Sequence, residues 1–179
     1  MSYSIENHKH RLSAWAASRA ASTSKLCRFK VSSGISILEE AGFNDTFTLV
    51  DIPSSEKSDE VHEEWRNRVI EAARNHDLEF THGVAAKLIN IYLKVRFVCG
   101  GFENDDRVKA IHPPIDAVLL TELASENFGN ASSEWRRFKN LRWSKYDSDT
   151  YQSVIDLIKN SLPANAPLWT IEKYWQGHQ

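Results

Sequence analysis

The stretch Gly83-Val84-Ala85-Ala86-Lys87-Leu88-Ile89-Asn90-Ile91-Tyr92-Leu93-Lys94-Val95-Arg96-Phe97-Val98-Cys99 decides the fold. Its apolar residues fall on nearly every side of a helix drawn through it, leaving little room for a wet face. A helix of that kind belongs at the centre of a domain, wrapped by others. The stretch is still too short to span a bilayer, and no apolar run elsewhere approaches that length.

Outward from this centre, helical signals dominate. Upstream, Ser58 or Asp59 opens an amphipathic helix carrying Val61, Trp65, Val69 or Ile70, and Ala73 on one side, with an acidic start that suits the helix dipole. Asn44 to Lys57 reads as loop, punctuated by Pro53-Ser54-Ser55. Before it, Ser32 or Ser33 caps a short helix through Ile35, Leu38 and Ala41 that Gly42 ends. An Ala-rich helix with Leu12, Trp15 and Arg19 runs over 8–21. Downstream, Gly100 to Lys109 is a polar connection, and His112-Pro113-Pro114 forces an extended approach to a helix beginning near Ile115 or Asp116. Further helices are expected over Ser132–Leu141, Asp149–Ser161 and Pro167–Gln176. The fold class is all-α, a single domain over 1–179 with about seven to nine helices.

Composition narrows the function classes. With 41% hydrophobic and 26% charged residues the chain is ordinary for a globular protein. Two cysteines, Cys27 and Cys99, are too few for a Cys-rich zinc site or an iron–sulfur cluster, and the seven histidines lack a helical i, i+4 metal pair. His8 and His10 read as exposed N-terminal residues. The polar start and the two thiols point to a reducing cytoplasm.

The net charge of −2 argues at first against a nucleic-acid partner, but its distribution does not. Residues 1–30, Lys25 among them, sum to +5, residues 31–79 to −8 and the remainder to +1. Within the remainder, Glu134 to Lys145 interleaves Trp135, Phe138 and Trp143 with Arg136, Arg137, Lys139, Arg142 and Lys145. Such a segment suits phosphate contact combined with packing, and equally an ordinary solvated helix with core aromatics.

Two pieces carry chemistry when taken together. Thr81-His82-Gly83-Val84-Ala85-Ala86-Lys87 is a turn that leads into the apolar helix, and Pro113-Pro114-Ile115-Asp116 is a Pro-rich loop that delivers a carboxylate to a helix start, 29 positions after the lysine. A lysine on an apolar helix is partly desolvated, which frees its amine as a nucleophile. A carboxylate at a helix N-terminus is held by the dipole and by backbone N–H groups. Alone, Lys87, Asn90 and Lys94 at i, i+3 and i+7 would be a solvated stripe, and Asp116 a mere N-cap.

In order and spacing, residues 78–125 resemble the helix–hairpin–helix DNA glycosylase superfamily, in particular its compact 8-oxoguanine-type branch. Gly83-Val84 matches the turn, Lys87 follows the glycine by four residues, Asn90 matches, and Pro114-Ile115-Asp116 falls where the family has Pro-Val-Asp. His82 stands where the family usually has Pro, and Ala85 where it has a second Gly.

The resemblance implies a helix–hairpin–helix element contacting DNA through His82, Gly83 and Ala85; from the basic segment, Arg136, Arg137 and Lys139 are the further DNA-contact candidates. It also implies Lys87 as nucleophile, with Lys94 in reserve, and Asp116 as its acid partner. Trp15, Trp175 and Gln176 are the base-pocket candidates, since a flipped base needs an aromatic to stack on. No metal or organic cofactor is expected. The expected partner is double-stranded DNA with a modified base, either a damaged base in repair or a hypermodified phage cytosine, such as glucosylated hydroxymethylcytosine, in antiviral defence. The protein is expected to act as a monomer away from membranes. The competing expectation is a non-catalytic helical DNA-binding or protein-interaction module.

Overall fold

In a computed structural model that describes residues 3–22 and 27–177, every regular element is helical; Lys25 lies outside the described residues. The α-helices are α1 (Ile5–Ala21), α2 (Val31–Glu40), α3 (Ser58–Asn75), α4 (His82–Leu93), α5 (Asp106–Lys109), α6 (Ala117–Ser125), α7 (Ser132–Leu141) and α8 (Ser148–Ser161). A π-helical stretch, Lys94–Phe102, continues α4, which makes about nine helices with no strand among the described residues. Short 3-10 turns at Leu49–Asp51 and Ser55–Lys57 lie in the expected loop.

α4 is the axis. Gly83 to Asn90, Tyr92 and Leu93 are all buried, because α1, α2, α3 and α8 pack around it together with the Trp143–Lys145 turn. α1 presents Ala14, Ala17 and Ala21 to the interior, and these small side chains let its backbone come close. α6 packs on α7, and the last segment, Leu168–Tyr174, lies against α6 and α8. That segment is a 3-10 helix rather than the α-helix expected over Pro167–Gln176.

Local chemistry explains the helix ends. α2 stops where Gly42, at φ 97°, closes a turn in which Phe43 N–H donates to Leu38 O. α3 ends in the same motif with Asp77 in the left-handed position at φ 56°: Leu78 N–H donates to Ala73 O and Asp77 N–H to Arg74 O. Thr81 then caps α4 by accepting from Val84 N–H at 3.2 Å. α3, the 76–81 turn and α4 thus form a tight helix–turn–helix corner. The α2 N-terminus departs from expectation: Lys30 holds the cap position, without a side-chain hydrogen bond.

Several polar residues lie deeper than their sequence context suggests. His10 is buried rather than exposed, with Nδ1 3.0 Å from Tyr92 Oη and Nε2 3.2 Å from Glu39. Cys27 is buried, Cys99 exposed, and both are free. No helix among the described residues is long and apolar enough to cross a membrane.

Candidate functional site

Lys87 and Asp116, 29 residues apart in sequence, meet in space. Lys87 projects from the second turn of α4, is 6% exposed, and places Nζ 3.3 Å from Asp116 Oδ2. The Nζ also lies 4.4 Å from the centre of the Trp143 ring, so the amine is held between a carboxylate and an aromatic face. Asp116 is the N-cap of α6: its Oδ1 accepts from Leu119 N–H at 2.9 Å. Its Oδ2 accepts a second bond from Trp175 Nε1 at 3.1 Å. The solvated-stripe reading fails here, since Lys87 and Asn90 are both buried.

Burial pushes the Lys87 amine below its ordinary range, and the Asp116 carboxylate opposes that shift. A larger fraction of neutral amine at neutral pH follows. Beside this pair sits a second one that sequence reasoning did not assemble. Lys94 pairs with Glu172, and its ammonium lies 5.9 Å from the Trp175 ring centre. Burial raises the Glu172 carboxyl above its usual range; Lys94 opposes this, and the nearby Asp116 carboxylate adds to it. Lys94 is therefore engaged by Glu172 rather than aimed at Asp116. The signal for Glu172 was weak in sequence, a lone acid in an aromatic C-terminal segment.

The Glu134–Lys145 segment ends at this site. Its aromatics Trp135, Phe138 and Trp143 are core, while Arg136, Arg137, Lys139, Arg142 and Lys145 are exposed. None of these five cations stands within ion-pair distance of a carboxylate among the described residues, a property they share with Arg11, Arg19, Lys57, Arg68 and Lys173. Arg136, Lys139 and Asn140 line a groove of about 380 Å³ with Thr121, Ala124 and Ser125 of α6. Arg142 holds a left-handed backbone, φ 66°, at the turn that swings the chain under α4. That turn explains Gly83: a Cβ there would stand 1.8 Å from Trp143 O.

The amides at the start of α4 have internal partners. Gly83 N–H donates to Tyr146 O at 3.2 Å, Val84 N–H to Thr81 Oγ1 and Ala85 N–H to Thr81 O. Ala85 is fully buried, so Gly83 and Ala85 offer no free N–H to a phosphate in this conformation. His82 is half-buried; its Nδ1 accepts from Arg66 Nε at 3.3 Å, and burial lowers its imidazole below the usual range.

Trp175 meets Asp116, and Gln176 follows it half-buried. Trp15 does not join them. It is 52% exposed on α1, with no hydrogen bond or ring contact to Lys87 or Asp116 among the described residues. Among the described residues no group of three His, Cys, Asp or Glu side chains is placed to hold a metal.

The chain matches no protein-family model, no curated protein and no solved structure.

Proposed function

We propose that the chain is a DNA glycosylase with lyase capacity, in which α3, the 76–81 turn and α4 act as a helix–hairpin–helix unit. The observation that carries this reading is the contact between a buried lysine of lowered pKa and the carboxylate that caps α6. The neutral Lys87 amine attacks C1′ of a flipped-out deoxynucleoside. The C1′–N bond breaks, its electron pair leaves with the base, and the base takes up the proton that Asp116 relays from the attacking nitrogen. Asp116 accepts the proton released from the nitrogen and stabilises the positive charge that builds on the sugar. Ring opening gives a Schiff base; loss of a C2′ proton then expels the 3′ phosphate and nicks the strand. The exposed cations of α7 and the following turn supply phosphate contacts. Trp175, already on Asp116, supplies a stacking face when it releases the carboxylate.

The substrate is a modified base in duplex DNA: a damaged base such as an oxidised purine, or a bulky phage cytosine such as glucosylated hydroxymethylcytosine. A panel of modified duplexes separates the two, and release of oxidised guanine alone would remove the defence version.

The test of the chemistry is borohydride trapping on abasic and modified duplexes. A covalent adduct that disappears in Lys87→Gln supports the reading, with Asp116→Asn slowing its formation. Absence of adduct and of released base from folded protein over the whole panel overturns it. A second reading, a helical binding module without chemistry, is favoured by the same geometry: Lys87 and Asp116 satisfy each other, and the Gly83, Val84 and Ala85 amides are satisfied internally. It predicts salt-sensitive binding without base release.

A further inference from the structure

Behind the Lys87–Asp116 pair lies a buried chain of side chains. Arg66 can only donate, so its NH1 fixes His62 Nδ1 as an acceptor at 2.9 Å. His62 Nε2–H then donates to Asn90 Oδ1 at 2.7 Å, and Asn90 Nδ2 donates to Tyr151 Oη at 2.9 Å. The Tyr151 hydroxyl in turn donates to His112 Nδ1 at 3.2 Å, and His112 Nε2–H to Asp59 Oδ1 at 2.8 Å. Lys159 closes the far end on both Asp59 oxygens, at 2.6 and 2.7 Å. From Arg66 to Asp59 every proton points the same way, from a cation on α3 to a carboxylate on α3, and each member fixes the orientation of the next.

Asn90 is the member that touches the site's framework. It lies three residues after Lys87 on α4, is fully buried, and its Nδ2 also donates to Pro113 O at 2.9 Å. Pro113 stands three residues before Asp116 in a buried loop. We propose that Asn90 is the positioning residue of the Lys87–Asp116 pair, reaching from the helix that carries the lysine to the loop that delivers the carboxylate. The network behind it holds its amide in one orientation, and His112 anchors the same loop from the other side through Asp59. Any effect on activity rests on the glycosylase reading; the effect on the amine does not.

The amine is followed directly by titrating the Lys87 Nζ resonance in ¹⁵N-lysine-labelled protein. In the wild-type chain, Asp116→Asn lowers the Lys87 midpoint by about one pH unit or more, because an opposing charge is lost. In an Asn90→Ala background the same substitution produces less than half that fall. Asn90→Ser, which leaves a smaller void, keeps the comparison available if Asn90→Ala does not fold. Tyr146→Phe removes a buried hydroxyl outside the network, one that donates to Phe138 O at 2.7 Å, and leaves the coupling intact. An undiminished fall in the Asn90 variants, or an equal loss in Tyr146→Phe, overturns the proposal. On abasic duplex at saturating concentration, Asn90→Ala traps about ten-fold more slowly or worse, with little change in Kd. Wild-type trapping with a weakened Asn90 link would overturn the catalytic consequence. Failure of the wild-type chain to trap overturns the glycosylase reading and leaves the titration to decide the positioning.

Discussion

Two buried polar groups sit on neighbouring turns of α4 and obey opposite rules. Around Asn90, donors and acceptors are matched one to one, and burial pushes both histidines below their usual range. Around Lys87 the matching is loose. The ammonium has one carboxylate at 3.3 Å and an aromatic face, with burial working against its charge. The first arrangement fixes geometry, and in the second burial weighs against the charge of the amine while Asp116 opposes that shift. A tight frame beside a loosely satisfied amine is what nucleophilic chemistry needs, since strain and mobility at the nucleophile are tolerable only if its surroundings hold still.

The sharpest way to break the comparison is chemical. Lys87→Gln removes the only amine paired with Asp116 among the described residues, so borohydride trapping on abasic DNA falls by about a thousand-fold or more. Undiminished trapping would move the nucleophile elsewhere, with Lys94 first to be tested.

Stability responds in the opposite sense. Arg66→Met leaves His62 Nδ1, His82 Nδ1 and Ser148 Oγ without their donor, and costs about 3 kcal/mol in chemical denaturation. A loss below about 1 kcal/mol would mean that the network is not what fixes this region.

Acid should act on the same cluster. His62 and His112 are each lowered chiefly by burial, so the unfolded chain takes up protons below pH 6.5 that the folded chain refuses. Their contribution is complete above that pH and is lost progressively as pH falls below it. Asp59, held well below the usual carboxylate range by its bond to His112, adds a further loss as pH falls below 3.8. Urea unfolding between pH 7.5 and 5 checks this, and a flat profile contradicts it.

Smaller effects belong to the surface and to the pair itself. Arg136→Gln with Lys139→Gln weakens binding about equally for all duplex sequences and lowers the salt slope by roughly two, measured by titration at several salt concentrations. Lys87→Met leaves the largely buried Asp116 carboxylate without its cation and costs about 2 kcal/mol, less than Arg66→Met because Asp116 keeps the Leu119 N–H and the Trp175 Nε1. A larger loss would make Lys87 a structural residue after all.

Much of the frame was legible in the sequence because it rests on local rules. Apolar periodicity placed α4 at the centre, Gly42 ended α2, and Asp116 capped α6. The lysine and the aspartate were legible as types in suitable settings, though nothing local fixed the 3.3 Å between them. The buried network was not legible in that way. His62 and Arg66 share the stripe of α3 that also carries Trp65, Val69 and Ala73, and polar residues in an apolar stripe were a signal left unused. Their partners, Asn90, His112 and Tyr151, come from distant segments that only the tertiary fold brings together. The long α4 was expected to run unbroken to Cys99, but a π-helical stretch takes over at Lys94, where Arg96 turns inward to bond the Asn44 and Asp45 carbonyls. The stretch expected as a plain connection before the Pro-rich loop also contains α5, too short for periodicity to reveal.

The close approach at Gly83 has a consequence for tracing divergent relatives. The glycine is demanded by the Trp143 carbonyl lying against it, a steric need that exists whether or not the protein ever meets DNA. A descendant that lost its chemistry would keep Gly83 for folding while Lys87 drifted. Gly83 is thus a marker of shared architecture, and under the proposed function the lysine four positions later would be the marker of shared activity.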